Sequence, residues 1–93
     1  MTTPEKLERS YNTAIDNAQS YLDSAESIQK ARPFKDNAAP LINDILTAAE
    51  NIGKAYQLRA MLSVDYDISP ANPADLAELR ERLTAILYEE VTA

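Results

Sequence analysis

The chain has 93 residues, a formal net charge of −6, and neither Cys nor His. That length supports a core of modest net stability, and the acidic balance opposes sequence-independent binding to nucleic acid or to an anionic membrane surface. Without thiol or imidazole, a disulfide framework, a thiolate metal site, a Cys nucleophile and His-based acid–base chemistry are all excluded.

From the N-terminus, Thr3-Pro4-Glu5 reads as an N-cap, a proline at the first helical position and a carboxylate at the positive end of a helix dipole. Leu7, Tyr11, Ala14, Ile15, Ala18, Tyr21, Leu22, Ala25 and Ile28 then recur mainly at three- and four-residue steps. They form an apolar stripe about 140° wide against an unbroken polar face. Pro33 disfavours helical geometry at the residue before it, so a first helix is predicted over about 4–32. The turn Pro33-Phe34-Lys35-Asp36-Asn37 ends in side chains able to cap a second helix, predicted over about 38–64 with Pro40 in its first turn.

The second helix carries Leu41, Ile45, Ala48, Ala49, Ile52, Ala55 and Tyr56 on one side. Gly53 within this run reads either as a C-terminal stop or as an interior position. The phase kept from Ile45 to Tyr56 favours a continuous helix. Further on, Leu58, Met61, Leu62 and Val64 leave that phase and nearly encircle the helix, so this end is expected to be covered on several sides or paired with another chain. Asp65 to Pro73 is a turn punctuated by two prolines. Asn72-Pro73-Ala74-Asp75 repeats the cap-then-proline pattern and predicts a third helix over about 73–92. Leu76, Leu79, Leu83, Ile86, Leu87 and Val91 make it the clearest amphipathic stripe in the chain.

The predicted fold is all-α and up-down-up, a single helical domain over residues 1–93. A long antiparallel hairpin, each arm about 40 Å long, is joined by a shorter C-terminal helix that cannot cover it fully. Alanines at 14, 18, 25, 48, 49 and 55 allow the two long helices to approach closely.

No constellation of reactive residues rises above chance spacing. Asp65, Asp67 and Ser69 begin like a calcium-binding EF-hand loop, but Pro70 stands where Gly is needed and Leu76 where a bidentate Glu is needed. Leu22-Asp23-Ser24-Ala25 invites comparison with the phosphopantetheine serine of acyl carrier proteins; the flanking Gly and Leu are missing and Ser24 falls in mid-helix. Lys30, Arg32 and Lys35 cluster with Phe34 at the hairpin tip. They suit either contact with an anion or acidic partner or complementation of the C-terminal dipole of the first helix. Asp65, Asp67, Asp75, Glu78, Glu5 and Glu8 gather at the opposite end. Arg80 lies within the stripe of the third helix, where its stem can snorkel at the core edge.

The function expected from this pattern is non-enzymatic and cofactor-free: a protein–protein interaction module, as adaptor, assembly factor or inhibitor, acting through its helical surface. The interface candidates are Leu58, Met61, Val64, Tyr66, Phe34 and Tyr88. A protein partner and self-association, a dimer foremost, are expected, without nucleic-acid or membrane binding. The alternative is a small-ligand or nucleotide-binding oligomer with sites between subunits, using Lys30, Arg32 and Lys35. The N-terminus lacks the apolar core of a signal peptide and no run of ~18 apolar residues occurs, which predicts a cytoplasmic protein.

Overall fold

A computed structural model of the chain describes residues 3–31, 39–70, 72 and 74–92. Three helices account for nearly all of them: α1 (Pro4–Ala31), α2 (Ala39–Tyr66) and α3 (Leu76–Thr92). Together they make an elongated body of 48 × 19 × 17 Å. α1 and α2, each 28 residues long, pack side by side as the antiparallel hairpin, and the 17-residue α3 lies against both.

The start of α1 follows the sequence pattern. The Thr3 hydroxyl accepts from the Lys6 amide at 3.3 Å, satisfying one open donor of the first turn, and the Thr3 carbonyl accepts the first intrahelical bond from the Leu7 amide at 3.1 Å. Asp36 and Asn37, expected to cap α2, lie outside the described residues, as do Arg32, Phe34 and Lys35. α2 runs without a break through Gly53. A methyl group added at Gly53 would meet nothing within 4 Å, so Gly53→Ala should raise stability by about 0.5–1 kcal/mol through lower unfolded-chain entropy. Urea denaturation of dilute protein measures the gain.

α2 ends in a left-handed turn. Asp67 adopts φ 54°, its amide donates to the Ser63 carbonyl at 3.1 Å, and the Ile68 amide reaches the Leu62 carbonyl at 3.0 Å. These bonds satisfy two carbonyls at the helix end while Ile68 folds back against the core.

α3 begins at Leu76 and not at residue 73. Asn72 does not cap it: its side-chain oxygen takes the Ala74 amide at 2.9 Å in a local turn, and its amide group donates to Asn12 of α1 at 3.1 Å. Asp75 is the cap, accepting from Ala77 and Glu78 at 2.9 and 3.4 Å. Asn72 thereby ties the α2–α3 connection to α1, and the helix starts three residues later than predicted.

The core is one apolar seam. Leu7, Tyr11, Ala14, Ile15, Ala18, Leu22 and Ala25 of α1 meet Leu41, Ile45, Ala48, Ile52, Ala55, Leu58 and Leu62 of α2. Leu76, Leu79 and Ile86 of α3 close over it, with Leu83 half-buried beside them. The end of α2 is resolved by this packing: Leu58 and Leu62 turn inward while Met61 and Val64 turn out. The buried face drifts around α2 because its apolar residues recur close to every seven residues, which the 3.6-residue turn of a straight helix does not match.

Candidate interaction surface

Of the predicted interface residues, Leu58 is a correction. It is only 9% exposed and belongs to the hydrophobic core, so it is unavailable to a partner. Met61 (37% exposed) and Val64 (82%) do reach the surface, as do Tyr66 and Tyr88. They do not form one patch, since Tyr88 lies on α3 near its C-terminus while Met61, Val64 and Tyr66 lie at the far end of α2. Lys30 is exposed in the last turn of α1.

The surface holds apolar side chains that the sequence pattern passes over. Ile42 is 51% exposed and Leu46 64%, both in the first turns of α2. Ala49, which the periodicity puts in the core stripe, is exposed as well, as are Gly53 and Ala60. Ile42, Leu46, Ala49, Gly53, Ala60 and Val64 fall within about 60° of one another around α2 at 100° per residue. They form a second apolar line beside the buried one, and Leu87 and Val91 add exposed apolar surface to the C-terminal part of α3.

At the other end of the molecule an open groove of about 620 Å³ runs between α1, α2 and the connection to α3. Tyr11, Tyr56 and Arg59 line it, with the Arg59 guanidinium 5.0 Å from the centre of the Tyr56 ring, a cation–π arrangement. Burial holds the Tyr11 phenol above its ordinary value; Arg59 pulls it down and Tyr56 up by lesser amounts. A raised folded-state value means that the neutral phenol stabilises the fold below the ordinary value of 10.0, and that this contribution is lost as pH rises through the folded-state value. Stability should therefore fall more steeply above pH 10 in the native protein than in Tyr11→Phe, measured by urea unfolding across the alkaline range.

A third feature positions α3. Arg82 bridges to Asp23, at 2.6 Å, and to Glu26 of α1. The Gln29 side-chain amide donates to the Ile86 carbonyl and to Glu90, both at 3.0 Å. Arg82, not Arg80, is the arginine of α3 that meets carboxylates of α1, because its position faces that helix while Arg80 stays exposed. The Ser24 hydroxyl donates to Asp44 at 2.7 Å across the α1–α2 seam, a structural tie at the serine compared above with a carrier-protein site.

Compared with models of known protein families, with curated proteins and with solved structures, the chain matches none. Among the described residues no three His, Cys, Asp or Glu side chains stand together to hold a metal ion, and no helix is long and apolar enough to cross a membrane. The Tyr11–Tyr56–Arg59 groove is open, and among its described lining residues there is no carboxylate. The exposed apolar line of α2 and the end of α3 offer what association uses: apolar side chains on rigid helices, with polar and charged groups at their margins.

Proposed function

We infer that the protein is a non-enzymatic interaction module that binds another protein through its helical surface, as an adaptor, an assembly factor or an inhibitor. The observation carrying this reading is the second apolar line on α2, where Ile42, Leu46 and Val64 stay 51–82% exposed on a helix whose other face already fills the core. Apolar side chains at that exposure add nothing to the monomer's core and favour association. The net charge of −6 favours a partner surface with basic margins.

Immobilised protein should retain a specific macromolecular partner from extract of its native cell. Leu46→Asp and Val91→Asp, on α2 and α3 in turn, should between them abolish retention while circular dichroism shows unchanged helix content. Retention that survives both replacements together would remove this surface from consideration.

A further inference from the structure

Resting on that reading of the helical surface, we propose that the exposed line of α2 is the seat of a second copy of this chain, packed antiparallel with its two-fold axis passing beside Gly53. The spacing of the line is what selects the occupant. Ile42 and Val64 each stand eleven residues from Gly53, and Leu46 and Ala60 each stand seven. A two-fold axis at Gly53 therefore sets Ile42 against Val64 of the partner, Leu46 against Ala60, and Gly53 against itself. Ile42 meets the smaller Val64 and Leu46 the smaller Ala60, Ala49 meets the exposed Gln57, and the centre, where two backbones come nearest, has no side chain on either helix. A hetero-partner would impose no such symmetry on this chain's own sequence.

Charge arrangement agrees with the antiparallel sense. Glu50 and Lys54, both exposed, flank the line on the side turned away from α3. In this packing the same flank of each copy adjoins its mate, so Glu50 of one chain lies about 3 Å along the axis from Lys54 of the other, and the pair is made twice. The end of the molecule bearing Lys30 is brought beside the end bearing Asp65 and Asp67. A parallel pair would instead stack basic end on basic end and acidic on acidic. The contact runs about 33 Å along one helix pair, the reach of a single helix-on-helix seam, which places it among the smaller interfaces.

The absence of native Cys makes the register directly testable. Gly53→Cys should oxidise to a covalent dimer, because only the axis position brings a residue within bridging distance of itself, about 5–6 Å between α-carbons. Leu46→Cys and Ala60→Cys should each stay reduced alone, the like residues being about 21 Å apart, yet cross-link to each other when the two variants are mixed. Light scattering should find the native chain dimeric at high micromolar concentration, with the dissociation constant raised at least about tenfold by Leu46→Glu. It should rise also in Glu50→Lys and be restored in Glu50→Lys/Lys54→Glu. Each of these results supports the symmetric pair. A native chain that stays monomeric overturns it, as does a dimer in which Gly53→Cys remains reduced. A monomeric chain whose capture of another protein is still lost on Leu46→Asp overturns self-association while leaving the broader interaction reading intact.

Discussion

Leu58→Asp should leave the protein unfolded at neutral pH, whereas Met61→Asp, three residues further along the same helix, should leave its helix content unchanged. Leu58 packs in the seam between α1 and α2 and is 9% exposed, and among the described residues no polar or charged side chain is buried in the core with it. A carboxylate there must either be desolvated without a partner or take up a proton, at a cost of several kcal/mol, about 3–5 when an uncompensated charge is left in the interior. A domain of this size has a total stability of about 5–14 kcal/mol, and one with so slender a core sits near the lower limit. Met61 points outward and its replacement meets water. Far-ultraviolet circular dichroism of the two variants at one concentration settles the contrast, and equal helix content in both would place Leu58 outside the core.

Ala18→Leu should cost about 1–3 kcal/mol even though it buries more apolar surface, because the added atoms have nowhere to go. Ala18 and Ala48 are fully buried in the seam between the two long helices. Their small side chains are what allow the backbones to lie close. A leucine at 18 pushes α1 and α2 apart and loosens the contacts of Ile15, Leu22 and Ile45 along with its own. Ala85→Leu, at an exposed position of α3, should change stability by no more than about 0.5 kcal/mol. The thermal midpoints of the pair measure the difference, and a neutral Ala18→Leu would show that the helices are not held by their alanines.

Much of this architecture is written in local chemistry. Thr3, Pro4 and Glu5 mark the start of α1 by satisfying or removing its open amides. The three- and four-residue recurrence of Leu7 to Ala25 fixes which face is buried. Gly53 left two readings open, and the continuity of α2 followed from phase alone. The first residue of α3 was less legible, because Asn72 and Asp75 are equally good caps in sequence. Only the contact of Asn72 with Asn12, sixty residues away, assigns the cap to Asp75.

The surface was less legible still, for one physical reason. Helical periodicity reports which residues share a side, but not which side a neighbouring helix covers. On α2, two apolar lines run next to each other, Leu41 to Leu62 and Ile42 to Val64. Leu58 and Ala49 therefore exchange places between expectation and structure. The partner of α3 on α1 was equally hidden, since Arg80 and Arg82 differ in sequence only by position, and the approach of Asp23 and Glu26 is what singles out Arg82.

By itself, then, the sequence determined the helices, their order and the inward face of α1, because caps, prolines and period act over a few residues. The tertiary structure alone decided which line of α2 is core and which is surface, where α3 begins, and which charges meet across helices. Those outcomes depend on the packing of elements far apart in the chain, which buries the line from Leu41 to Leu62 and leaves the line from Ile42 to Val64 at the surface.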